Sequence, residues 1–326
     1  MREVEADTMK DIRIVFMGTP DFAVPALCKL AEAFSVMLVV TQPDRRRGRG
    51  QTPSPTPVKK IAEELMLPVS QPTRLRDGVL AAHLSGLAPD LVITAAYGRL
   101  LPAEILAVPK IASLNIHASL LPRYRGAAPI HRAVINGDSV SGVTIMYMDT
   151  GMDTGDILLQ QSVPIGPDST TGELHDILAA LGSDMIVQAV RDVMSGKAAR
   201  VKQDDTMAST ALPLRPGEEE IDWSVDAAGI HNLVRGMNPW PGAYTLFNEK
   251  RLKIWGGRAE DASPAPCGRI LEAGDEGILV AAGKGAYRIG KLQPPGKRVM
   301  SASEYLCGNI LQPGETLGRR DCDGGP

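Results

Sequence analysis

Between residues 12 and 163 the chain alternates short apolar runs with stretches of helical periodicity, and few folds accept that alternation. The runs fall at 12–17, 36–41, 90–95, 114–117, 142–148 and 157–163. Helical patterns occupy the segment after Asp21 to about Phe34, then 59–66 and 128–136. Strands separated by helices of this length imply a mostly parallel α/β sheet. Thr170-Thr-Gly-Glu173 fits a capping box and opens helical sequence to about Met194, which Gly182 is expected to interrupt. Residues 42–58, rich in Pro, Gly and Arg, read as a loop.

The pattern then changes. Composition shifts near 196–205, and Pro213-Leu-Arg-Pro-Gly-Glu reads as linker. A helix is expected over 227–237, followed by short β-like runs at 244–247, 252–255, 268–271, 277–280 and 287–292. Short strands punctuated by Gly and Pro suggest a small barrel. With 326 residues there is room for two domains, each with its own core. The expected division is an extension over 1–9, a catalytic domain over 10–198, a linker over 199–216, a C-terminal domain over 217–318 and a tail over 319–326. The extension and the tail are expected to be disordered.

Chemistry concentrates around residues 113–126 and 149–156. If Leu114 and Ile116 face a core, period-two alternation puts Asn115 and His117 together on the other face. An amide can donate to a carbonyl oxygen, and an imidazole can exchange a proton near neutral pH. Asp153, in Asp149-Thr-Gly-Met-Asp153-Thr-Gly-Asp156, can orient or charge-stabilise that histidine. The trio suits acyl-type transfer without a Ser or Cys nucleophile. His83, His131, His175 and His231 lie in helical patterns and read as surface or packing residues.

Several other classes fit poorly. Gly18-Thr-Pro-Asp-Phe-Ala lacks the Gly-x-Gly-x-x-Gly spacing of a dinucleotide turn, and Phe22 sits where phosphate would have to approach. The Asp-rich loop lacks the spacing and terminal Glu of a calcium-binding EF-hand, and no metal is expected. No apolar run reaches the length of a membrane span, and residues 1–8 resemble neither a signal nor a transit peptide. Four cysteines without paired spacing fit a reducing cytoplasm. A net charge of −3 is no nucleic-acid signature by itself. Arg45, Arg46, Arg47 and Arg49 nonetheless form the densest basic cluster of the chain, in the loop after the second strand. Such a cluster serves equally as a solvated loop or as a contact to RNA phosphates.

The run Asn115-Ile-His-Ala-Ser-Leu-Leu-Pro-Arg-Tyr-Arg-Gly, with Met152-Asp-Thr-Gly-Asp, resembles the folate-dependent formyltransferase superfamily. Gly18-Thr-Pro-Asp-Phe-Ala, Gln42-Pro-Asp-Arg, Gly48-Arg-Gly, Pro53-Ser-Pro and Asn238-Pro-Trp-Pro resemble the methionyl-tRNA formyltransferase family within it, over about residues 10–318. The resemblance implies a Rossmann-like, mostly parallel α/β domain followed by a small OB-like β-barrel domain. It implies 10-formyltetrahydrofolate as co-substrate and initiator methionyl-tRNA as partner, with no membrane and no obligate protein partner evident. Carried over, Asn115, His117 and Asp153 match the catalytic trio. Ser119, Leu120, Leu121 and Pro122 match a folate-contact segment, and Tyr97, Gly98 and Leu101 lie in a loop at the folate pocket. Arg49 matches a tRNA-contacting arginine. The chain departs from the family at Pro213 and Pro216, where lysines are usual, and at Arg46 and Arg47, which make the loop more basic. Two rivals stay open: a formyltransferase acting on an amino sugar or a glycinamide nucleotide, and a non-catalytic RNA-binding module.

Overall fold

The computed structural model describes residues 10–47 and 52–318. The extension expected over 1–9, Arg49 and the tail over 319–326 lie outside the described residues. The chain divides into two compact units. The residues up to Pro129, Val140–Pro164 and His175–Leu212 form the first. Ile130–Ser139, Ile165–Leu174 and the residues from Pro213 onward form the second.

The first unit is built on β1 (Arg13–Gly18), β2 (Ser35–Val40), β3 (Arg45–Arg47), β4 (Thr52–Ser54), β5 (Val69–Ser70), β6 (Leu91–Ala95), β7 (Ala112–His117), β8 (Arg125–Gly126), β9 (Val140–Tyr147), β10 (Ile157–Pro164) and β11 (Thr210–Ala211). Seven of these make one sheet in the order β10-β9-β7-β6-β1-β2-β5. Strands β5, β2, β1, β6 and β7 run parallel, β9 pairs antiparallel with β7, and β10 pairs antiparallel with β9. Central strands β1 and β6 are buried almost throughout, as continuous apolar runs require when both faces are covered. Edge strand β10 is largely exposed.

The helix Thr171–Met194 starts at a capping box: Glu173 N donates to Thr170 Oγ1 at 3.2 Å, and Thr170 N donates to Glu173 Oε2 at 2.8 Å. Gly182 does not interrupt this helix, contrary to expectation. A Cβ there would stand 2.8 Å from Ile116 Cγ2, so the missing side chain lets the helix lie close against β7. Packing gained by that approach offsets the roughly 1 kcal/mol that a helical glycine costs.

Within the segment expected as a loop over 42–58, the described residues hold regular elements. Strands β3 and β4 pair antiparallel, with Arg45 opposite Ser54 and Arg46 opposite Pro53. A two-stranded ribbon is all edge, and there a proline leaves no ladder bond unmade. Thr56 then caps the helix Pro57–Glu64, accepting from Lys59 N at 3.1 Å. The stretch expected as linker from 199 also differs. Val201 bridges Ile157, and β11 pairs with β8, so residues up to Leu212 belong to the first unit.

The second unit holds β12 (Tyr244–Phe247), β13 (Lys250–Glu260), β14 (Ile270–Gly274), β15 (Gly277–Ala281), β16 (Ala286–Gln293) and β17 (Met300–Ser301). They form an antiparallel sheet in the order β12-β13-β16-β15-β14, with β17 also on β16. The sheet curls as an OB-like half-barrel. Register shifts at Ile254, Gly256 and Gly257 bend β13, and a Cβ on Gly257 would collide with the Arg288 carbonyl. Ile230 and Val234 of the helix Ala227–Gly236 close the core with Trp223, Ile254 and Tyr287.

Candidate active site

Strand β7 delivers the first two groups. Leu114 and Ile116 are buried on one face, which leaves Asn115 half-buried and His117 only 6% exposed on the other. Thr94, beside Asn115 in the β6–β7 register, donates its hydroxyl to Asn115 Oδ1 at 2.6 Å. With its oxygen engaged, Asn115 turns its Nδ2 donor outward, 3.5 Å from Asp153 Oδ1. His117 has two ring nitrogens with different duties. Nε2 donates to the Tyr124 carbonyl at 2.9 Å, which can only accept. Nδ1 faces Asp153 Oδ2 at 3.6 Å. It is therefore the nitrogen at which a proton can pass.

Asp153 joins the two through its separate oxygens. Its Oδ2 also accepts from Gly126 N at 2.9 Å. The residue sits at φ 56°, a left-handed conformation that a non-glycine residue adopts only when its surroundings enforce it. Part of the enforcement is the turn that carries it. Asp149 Oδ1 accepts from Gly151 N at 3.0 Å and from Thr154 Oγ1 at 2.8 Å, so Asp149 builds the loop.

The segment after β7 is anchored by Thr144, whose hydroxyl donates to the Ser119 carbonyl at 2.7 Å and accepts from Leu121 N at 3.1 Å. Gln160 Nε2 donates to the Leu121 carbonyl at 2.9 Å. The Ser119 hydroxyl, 1% exposed, is spent on the Arg123 carbonyl at 2.6 Å. Leu121 is buried too, which leaves half-buried Leu120 and Pro122 as the accessible surface of this segment.

The other expected loop leaves β6. Tyr97 and Leu101 are buried in a cluster with Val15, Met17 and Val92, and Met148 packs against it. Burial pushes the Tyr97 hydroxyl up from its ordinary pKa, and among the described residues that hydroxyl has no hydrogen-bond partner. Gly98 is exposed at φ 79°. The Tyr97 carbonyl accepts from Thr19 Oγ1 at 3.1 Å and from Gln42 Nε2 at 2.8 Å.

Gln42 leads to the basic ribbon, since Arg45 Nη2 donates to Gln42 Oε1 at 2.6 Å. Arg46 and Arg47 pair through their backbones with Pro53 and Thr52. Asp44 next to them is held below the usual carboxylate range by hydrogen bonds from Lys59 and then Gln71. Phe22, in a 3-10 turn after β1, is buried and meets the His175 ring edge-on at 5.6 Å.

Sequence reasoning missed Thr94, Arg125, Gly126 and Gln203. Thr94 carried a signal: it is a polar residue inside the apolar run Leu91-Val-Ile-Thr-Ala95. The others act through contacts between distant segments, which leave no local pattern.

Residues 12–190 match the model of the formyl transferase family, and 213–309 match its C-terminal domain. The methionyl-tRNA formyltransferase of Moorella thermoacetica is 50% identical over 94% of this chain and 99% of its own length. The chain belongs to the methionyl-tRNA formyltransferase family. A second relative so named, from Citrifermentans bemidjiense, is 46% identical over 97% of this chain and all of its own length. The methionyl-tRNA formyltransferase fold is wider than that family. An N-formyltransferase from Helicobacter canadensis, solved with folinic acid and dTDP-3-aminofucose, superposes with a TM-score of 0.64 at 19% identity. That match covers 85% of this chain and 98% of the other.

Proposed function

We propose that the trio Asn115, His117 and Asp153 transfers a formyl group from 10-formyltetrahydrofolate to the α-amino group of methionyl initiator tRNA. The observation that carries this reading is one carboxylate facing both an outward-turned amide donor and a histidine Nδ1. Near-full-length identity to relatives named for methionyl-tRNA supports the acceptor. The arrangement also fits a folate. Leu120 and Pro122 offer accessible apolar surface, and Gly98 leaves its backbone exposed.

The folate supplies the formyl carbon on its N10. As the amine adds, negative charge grows on the formyl oxygen, and Asn115 Nδ2 is the donor placed to meet it. The attacking amine must lose one proton and the departing N10 must gain one. Asp153 accepts the first, directly or through water, and His117 Nδ1 delivers the second. Asp153 Oδ2 faces His117 Nδ1 at 3.6 Å, so the proton taken from the amine can pass within the pair to the nitrogen that delivers it. Holding both substrates in register supplies much of the remaining acceleration. Arg45, Arg46, Arg47 and Arg49 contact RNA phosphates, which position the acceptor without reading its sequence. The reducing cytoplasm suits the free thiols Cys28, Cys267 and Cys307.

One acceptor panel tests the reading. Radiolabelled formyl is offered to charged initiator tRNA, charged elongator tRNA, an amino sugar nucleotide and glycinamide ribonucleotide. Label is expected on initiator methionyl-tRNA alone, falling steeply as salt rises. Label on either small amine in preference to tRNA would overturn the assignment.

A further inference from the structure

Gln203 lies 50 positions beyond Asp153 in the chain and is 6% exposed. Its side-chain amide is fully used. Nε2 donates to the Asp153 carbonyl at 2.9 Å and to the Gly155 carbonyl at 2.7 Å. Oε1 accepts from Arg125 Nε at 3.0 Å and from Arg125 Nη2 at 2.8 Å. Arg125 stands between Tyr124, whose carbonyl takes the His117 Nε2 proton, and Gly126, whose N–H holds Asp153 Oδ2. A single amide thus ties the backbone that carries the carboxylate to the backbone that orients the imidazole.

Two features show that the tie is built rather than incidental. The segment bearing Gln203 is fixed on both sides: Val201 bridges Ile157, and Thr210 and Ala211 pair with Arg125 and Gly126. Arg125 Nη2, which donates to Gln203, also pairs with Asp205 Oδ1 at 2.7 Å on the same segment. Asp153, at φ 56°, needs external contacts to keep its position, and the bond to its own carbonyl acts on the strained residue itself.

We infer that Gln203 is a positioning residue for formyl transfer: through Arg125 and the Asp153 carbonyl it sets the spacing between the Asp153 carboxylate and His117 Nδ1. The inference rests on the reading of Asp153 and His117 as the proton-handling pair. Because Gln203 reaches no reacting atom, its removal leaves substrate binding alone and slows the chemical step.

Gln203→Glu is the sharpest probe. It keeps the shape and the acceptor for Arg125, and replaces the two N–H donors with a carboxylate oxygen against two carbonyls. Expected is a fall in kcat of at least about tenfold per folded molecule, with KM for both substrates within about twofold. In an Asp153→Asn background the same change is expected to add less than about twofold, because its route to the chemistry is already gone. Where Gln203→Glu lowers the folded fraction seen by circular dichroism, Gln203→Asn, too short to span both carbonyls, gives the same selective loss in kcat. A wild-type kcat in both Gln203 variants, or an equal fall in both backgrounds, would overturn the positioning role. If Asp153→Asn alone retained the wild-type kcat, the reading of the pair would fail instead, and the two failures are told apart by that single variant.

Discussion

Replacing Asn115 with alanine is expected to slow single-turnover formyl transfer by at least about 10²-fold, the scale for losing one oxyanion donor. The size follows from how the amide is fixed. Thr94 donates to Oδ1 at 2.6 Å and Nδ2 faces Asp153 Oδ1 at 3.5 Å, so a flipped amide would set its oxygen against the carboxylate. Charge on the formyl oxygen exists only as the transition state forms, so the loss should fall on kcat with little change in substrate binding. Asn115→Asp should be at least as damaging. It keeps the acceptor for Thr94 but sets a second carboxylate beside Asp153 and beside the developing charge. A variant that raised KM and left kcat intact would show that Asn115 only binds substrate.

His117→Ala is expected to lower the same rate by about 10²- to 10⁴-fold, the range for a positioned proton-transfer group. The Tyr124 carbonyl takes Nε2 at 2.9 Å, so the ring is oriented from behind and Nδ1 alone faces the carboxylate. Truncation removes the proton carrier and leaves Asp153 with no partner on that side. Added imidazole is expected to restore part of the rate, which a purely structural histidine would not allow. Single-turnover transfer near the wild-type rate would refute the role.

The elements with a strong local pattern were legible in the sequence. The apolar runs at 12–17 and 90–95 became β1 and β6 within a residue or two, because strands buried on both faces must be apolar throughout. Asn115 and His117 were legible for the same reason in reverse: two polar residues interrupt an apolar strand at period two. Elements whose stability comes from elsewhere were not. The two-residue strands β8 and β11 exist only by pairing segments some 85 positions apart, the spacing of the Tyr124–Ser209 hydrogen bond. Gly182 reads as a break, yet it admits a close helix–strand contact; the run expected over 252–255 continues through Gly256 and Gly257, which bend one long strand. The short helices Val79–Leu87 and Ala103–Leu106 lack a strong amphipathic signal over so few residues. Gln203 carried no signal at all, since its partners Arg125, Asp153 and Gly155 are all distant in sequence.

In the proposed mechanism the Asp153 carboxylate joins the amide donor and the histidine into one catalytic unit. Rapid-quench measurement of a single turnover by Asp153→Asn, with folate and charged initiator tRNA both saturating, isolates the chemical step from binding. Asparagine keeps the size of the side chain and, with its oxygen toward Gly126 N, that contact; it removes the charge and the proton acceptor and sets an N–H donor where Asp153 accepted from Asn115. The mechanism requires a rate at least about 10²-fold below wild type. A rate within about twofold of wild type, from a folded protein that binds both substrates, would contradict it.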